Sequence, residues 1–296
     1  MIKRKKIPAL AIALFSISWI PGATLPALGP IPPIASAFGI PVSDSPASKP
    51  YLSRHVEMKA PSGDILAGSS GSLLFIQTGI PLIGGLPRPI GNIGAYTHAD
   101  GIVLAYFGAD YKPDAGIRNF EAGTRLGELD ARESQTRYSL SVYDSRTAAW
   151  MNPLLLSVIP TDKHEPRIDG LALQRQNIRL EYIPSAKTKT KLRQGTYDLY
   201  VRAEDPIAGG QASGIYRYTA SMDGRSLADH VLDVARGAEA GLSFLGFAAP
   251  STSILDREWG IKIAAIAIPR GQHLLEVSVA DFAGSRSLVV WKLEAE

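Results

Sequence analysis

The sequence predicts a mostly β protein. Three observations carry that expectation: short runs in which apolar and polar residues alternate, turn-forming residues standing between those runs, and a near absence of helical periodicity. The alternating runs are Tyr138, Leu140, Val142; Ile178, Leu180, Tyr182; Tyr197, Leu199, Val201; and Leu275, Val277, Val279. A period of two places one side of each strand against a core. With 28 Gly and 21 Pro among 296 residues, there are turn formers enough to close many short strands. The one helical pattern of note is Leu227 to Ala235, where a short helix is expected.

Taken in chain order, Lys3-Arg4-Lys5-Lys6 followed by the uncharged apolar stretch Ile7 to Ile20 and the break at Pro21-Gly22 reads as an export signal over 1–24. The stretch is shorter than the roughly 20 apolar residues a spanning helix needs. Cleavage is expected either after Ala23 or near Ala35-Ser36-Ala37, with an uncleaved tether as the remaining reading. Residues 25–50 are crowded with proline and read as a stiff, extended linker. The four basic residues of the signal account for more than the whole formal charge of +3, so the rest of the chain is near neutral and nucleic acid is dropped as a partner. There is no cysteine, which removes disulfides, thiol nucleophiles and thiolate metal sites. Asn152-Pro153 and the polar stretch 160–166 divide the remainder into two β blocks, 51–160 and 163–296.

The first block presents, in order, Pro61-Ser62-Gly63-Asp64-Ile65-Leu66-Ala67, Gly71-Ser72-Leu73, Gly91-Asn92, His98-Ala99-Asp100-Gly101, Tyr106, Gly123-Thr124-Arg125-Leu126-Gly127, Tyr138-Ser139-Leu140 and Asn152-Pro153. That series resembles the lysostaphin-type (LytM-like) zinc endopeptidases, which cut peptide cross-links of bacterial cell walls. The resemblance covers about 100 residues. It implies a LytM-like antiparallel β domain and a zinc site built from His-x-x-x-Asp and the second His of a late His-x-His, with two further histidines assisting. Carried over by position, Ser53 stands for the first His, Glu57 for the Asp, Gly108 for one assisting His, and Arg137 and Ser139 for the late pair. A shifted register offers His55 with Lys59. Zinc hydrolysis needs three protein ligands and an open position, and neither register supplies them, so no catalytic residue, metal ligand or cofactor is expected. His55, Glu57 and His98 are the remaining candidates for a rebuilt site, with His55 and Glu57 expected on a solvated face. The apolar, proline-punctuated run 76–89 is a candidate groove rim.

The second block repeats a Gly-led turn, an alternating strand and an exit Asp, at Gly195 to Asp205 and Gly271 to Asp281. This resembles bacterial immunoglobulin-like and fibronectin-like β-sandwich modules. Asp205 and Asp281 suit turn capping more than calcium; His230 and His273 receive no ligand role, and Asp223-Gly224 marks a hairpin. The resulting expectation is an exported, non-catalytic protein of the periplasm or cell envelope that binds peptidoglycan or regulates a wall hydrolase. An active murein endopeptidase and a surface adhesin are the alternatives.

Overall fold

The structure, a computed structural model, describes residues 34–36, 38–42, 51–60, 63–77, 92–98, 101–108, 118–129, 137–156, 164–184, 189–207, 211–212, 214–238, 241–244, 247 and 250–296. The expected signal over 1–24 lies outside the described residues, as does run 76–89 beyond Gln77. The chain is mostly β, as its alternating pattern requires.

The first twelve strands are β1 (Ile34–Ser36), β2 (Pro41–Val42), β3 (Tyr51–Leu52), β4 (Val56–Lys59), β5 (Asp64–Leu66), β6 (Gly71–Gln77), β7 (Ile93–Thr97), β8 (Ile102–Phe107), β9 (Asn119–Phe120), β10 (Arg125–Glu128), β11 (Arg137–Asp144) and β12 (Ala149–Met151). Strand β11 is the axis of this half. One edge pairs with β8 along its length, and the other pairs first with β4 and then with β12, all antiparallel. Tyr138, Leu140 and Val142 are buried on its core face, with Tyr106 and Leu104 beside them. Ser139 and Ser141 are buried too, so β11 is covered on both faces rather than one.

The remaining strands are β13 (Arg167–Arg175), β14 (Ile178–Tyr182), β15 (Thr190–Leu192), β16 (Gly195–Glu204), β17 (Pro206–Ile207), β18 (Gln211–Ala212), β19 (Arg217–Met222), β20 (Arg225–Val231), β21 (Val234–Ala238), β22 (Gly241–Phe244), β23 (Leu255–Asp256), β24 (Gly260–Ile268), β25 (Gly271–Ala280) and β26 (Arg286–Ala295). Two five-stranded sheets, β14-β13-β16-β24-β23 and β15-β26-β25-β19-β20, share one core. Tyr197, Leu199, Val201, Leu275, Val277 and Val279 all bury there, and Trp291 lies 5.3 Å from Tyr182. Asp223-Gly224 closes the β19–β20 hairpin.

Two expectations are corrected. Leu227 to Ala235 is not a helix: it spans the end of β20 and the start of β21, because its backbone groups find partners in β19 and β12. Local apolar spacing loses to long-range pairing here. The linker over 25–50 is folded where it is described. Strand β1 pairs with β4 and β2 with β3, while Phe38 is 2% exposed. An apolar aromatic gains more from burial than an extended spacer keeps in entropy.

The two halves are joined by a hairpin. Strands β21 and β22 leave the second half and extend the first sheet beyond β12, giving ten strands in all. Asn152 secures the crossing: its N–H donates to the Asp233 carbonyl at 2.7 Å and its side-chain amide to the Leu232 carbonyl at 3.3 Å. Phe244, fully buried on β22, meets Phe38 edge-on at 5.2 Å. Phe244→Ala is therefore expected to cost roughly 3–5 kcal/mol. Urea unfolding followed by tryptophan fluorescence checks it, and a change under 1 kcal/mol contradicts the packing described.

Candidate functional site

In an antiparallel pair, residues directly opposite one another project to the same face. Glu57 on β4 stands opposite Ser139 on β11, and Ser139 stands opposite Phe107 on β8. Arg137, two residues before Ser139, shares that face. Its guanidinium Nη1 lies 3.8 Å from Glu57 Oε2, with the two side chains 30% and 25% exposed. Gly108 follows Phe107 directly, its N–H donating to the Asn92 carbonyl at 3.0 Å. Three of the five positions singled out in the sequence, Glu57, Arg137 and Ser139, thus share a face, from segments up to 82 residues apart, while Gly108, one residue past Phe107, does not. Ser53 does not join them. It is buried, and its hydroxyl is used in a local turn, donating to the His55 carbonyl at 3.0 Å and accepting the His55 N–H at 3.2 Å. The alternative register is less useful still, since Lys59 faces Arg137 across the strands.

The other candidates separate. Val56 and Met58 belong to the core face, so Glu57 points away from it. His98 lies on that core face, in an aromatic series running from His98 to Phe120 at 5.9 Å, Phe120 to Tyr96 at 5.1 Å and Tyr96 to Tyr106 at 5.7 Å. Its Nδ1 is 2.6 Å from the Ser70 carbonyl, which can only accept, so Nδ1 carries the proton; Ser69 Oγ is 2.8 Å away. Burial lowers the His98 pKa, partly offset by the Ser70 carbonyl. The sheet therefore stands between His98 and Glu57. His55 is partly buried, and burial, assisted by the neighbouring Arg54 cation, takes its pKa from 6.5 to about 4.

These residues do not fit zinc. Arg137 is a permanent cation with no lone pair to give, Ser139 offers a neutral hydroxyl, and only Glu57 is an anionic donor. Among the described residues, no group of three His, Cys, Asp or Glu is placed to hold a metal ion. Phe107 is half-buried, an ion pair flanks it, and farther along β11 Tyr143 packs on Trp150 at 4.9 Å, with Arg54 over the Trp150 ring at 4.4 Å. The Arg54–Trp150 pair has no sequence signal, because 96 positions separate its members.

In the second half, Asp281 caps a turn: its Oδ1 accepts the Ser285 N–H at 2.8 Å. Asp205 is buried at the end of β16. His230 bonds the Ile263 carbonyl at 2.6 Å and stacks on Phe247 at 4.2 Å, and His273 pairs with Asp223 at 2.7 Å.

The sequence has no match among curated proteins. A family model without a descriptive name matches residues 165–296. Among solved structures, the chain is similar to the SpoIIQ-SpoIIIAH pore forming complex, at 15% identity and TM-score 0.33, covering 47% of this chain and 95% of that one. A crystal structure of the SpoIIIAH and SpoIIQ complex is similar at 16% identity and TM-score 0.30, covering 42% and 90%. The NMR structure of lysostaphin is similar at 11% identity and TM-score 0.33, covering 87% and 86%. TM-scores of this size establish neither shared fold nor shared function.

Two predictions follow from the geometry. His55 is neutral when folded, so between pH 6.5 and 4 the unfolded chain takes up a proton that the folded chain refuses. Its stabilising contribution is complete above pH 6.5, falls on acidification and levels off near pH 4. At ~1.4 kcal/mol per pH unit the loss is roughly 3 kcal/mol. His55→Gln is expected to remove about that much of the difference in urea stability between pH 7 and pH 4, and an unchanged difference contradicts it. Gly71 sits where a Cβ would come within 2.4 Å of the Thr97 carbonyl and 2.9 Å of the His98 ring. Gly71→Ala should lose roughly 1–3 kcal/mol through overpacking, read as a lower thermal midpoint.

Proposed function

We propose that this is a non-catalytic protein of the bacterial cell envelope, with a degenerate LytM-like sheet that binds peptidoglycan or a wall hydrolase and an immunoglobulin-like sandwich as its second part. The observation that carries the reading is that Glu57, Arg137 and Ser139 share one face of the sheet. The resemblance selected these positions from motif order alone, and strand pairing brings them together. Glycines and alternating strands occur in any β protein, but Glu57 meeting positions 80 and 82 residues away on one face is a more demanding coincidence. The export signal read over 1–24 supports the compartment. Among the described residues, no helix is long and apolar enough to cross a membrane.

On this reading the old reaction centre serves for holding. The Arg137–Glu57 pair presents both signs of charge beside Phe107, and Tyr143, Trp150 and Arg54 form a second cluster farther along β11, beyond the buried Ser141. A wall peptide carries both amine and carboxylate groups, which such a pair suits.

Purified protein mixed with insoluble wall sacculi tests this directly. Co-sedimentation is expected, with zinc well below one equivalent and no hydrolysis sensitive to a chelator. Arg137→Ala should weaken sedimentation about tenfold, roughly 1.4 kcal/mol, while the thermal midpoint stays near that of the parent. One equivalent of zinc together with chelator-sensitive hydrolysis would establish the endopeptidase instead. Absence from the sacculus pellet would favour a surface adhesin.

A further inference from the structure

We infer that the outer face of the sheet β15-β26-β25-β19-β20 is a docking surface for a second copy of this chain. On that face Leu274 of β25 and Leu288 and Val290 of β26 stand 46%, 55% and 40% exposed. Their strand neighbours Leu275, Val277 and Trp291 point the other way and fill the core. The alternation thus places three large apolar side chains on the side where a solvated sheet carries polar ones. An apolar group rimmed by polar residues on a sheet face marks an interaction surface.

The pairing of β25 with β26 decides what fits there. Leu274 stands opposite Lys292, and Glu276 opposite Val290. These four form a two-by-two block with apolar side chains on one diagonal and opposite charges on the other. Among the described residues neither charge has an ion-pair partner; Glu276 accepts the Ser221 hydroxyl at 3.1 Å. A two-fold axis lying along the apolar diagonal sets Leu274 and Val290 each against its own counterpart and brings Glu276 onto Lys292 twice. That is the self-complementarity an isologous interface requires. The strands of the two copies then cross at a steep angle, as in the orthogonal class of sheet packing.

The size of the face agrees. At about 4.8 Å between strands and ~3.4 Å per residue, the five strands span roughly 24 Å by 30 Å, or about 700 Å². Each partner in a standard interface contributes ~800 Å², so a reversible dimer is within reach. An anionic lipid surface would be met by basic residues alone, and Glu276 at the centre of the block argues against it. None of these residues belongs to the first sheet, so the inference does not depend on the wall-binding reading.

Analytical ultracentrifugation of the full chain over a concentration series is the test. A monomer–dimer equilibrium is expected, and Val290→Arg and Leu288→Arg should each shift it to monomer while the thermal midpoint stays near that of the parent. Glu276→Lys and Lys292→Glu should each weaken association about tenfold, because like charges then meet twice. An equimolar mixture of these two variants should recover it, since opposite charges meet again. A chain that is monomeric throughout, or a dimer indifferent to Val290→Arg, would overturn the inference. A mixture no tighter than the single variants would overturn the diagonal register. A monomer whose binding to phosphatidylglycerol vesicles is abolished by Val290→Arg would assign the face to a lipid surface instead.

Discussion

The register of β11 is the constraint on which the rest of the structure depends. This strand is bonded to β8 on one edge and to β4 and β12 on the other, so three neighbours must agree with a single alternation. A slip of one residue would turn Tyr138, Leu140 and Val142 out of the core and bring Arg137 in. Burying three apolar side chains is worth several kcal/mol, whereas exposing a guanidinium to the core is costly. The same choice that builds the core therefore also delivers Arg137 and Ser139 to the face where Glu57 lies. Core and candidate site are two consequences of one register.

The second dependence is the shared edge between the halves. Most strand edges are protected by charge or shortness, but β12 is protected by a hairpin lent from residues 234–244. Asn152 and Leu232 fix the crossing, and Phe38 and Phe244 fill the space beneath it. The result couples a segment near the N-terminus, the first sheet and the sandwich through one small cluster. A side chain such as Phe244 thus matters to both halves, though it contributes nothing to the Arg137–Glu57 face.

The chemistry of that face is set by what stands beside Glu57. A carboxylate surrounded by imidazoles is a metal ligand, while a carboxylate beside a guanidinium is half of an ion pair. The Arg137–Glu57 pair is long and partly exposed, so it adds no more than about 1 kcal/mol to stability.

By itself the sequence determined the class of structure and the main strands, because a period of two over five or more residues has one economical solution: Tyr197 to Val201 and Leu275 to Val279 bury as the alternation demands. Motif order also pointed to Ser53, Glu57, Gly108, Arg137 and Ser139, of which strand pairing places Glu57, Arg137 and Ser139 on one face. Other features were decided only by tertiary structure. Leu227 to Ala235 carries a helical spacing yet pairs as strand, and the proline-rich stretch around Phe38 reads as a spacer yet folds against β4. In both cases the deciding partner, β12 or Phe244, is supplied by the fold, and local sequence cannot weigh an interaction whose other half arrives from elsewhere in the chain.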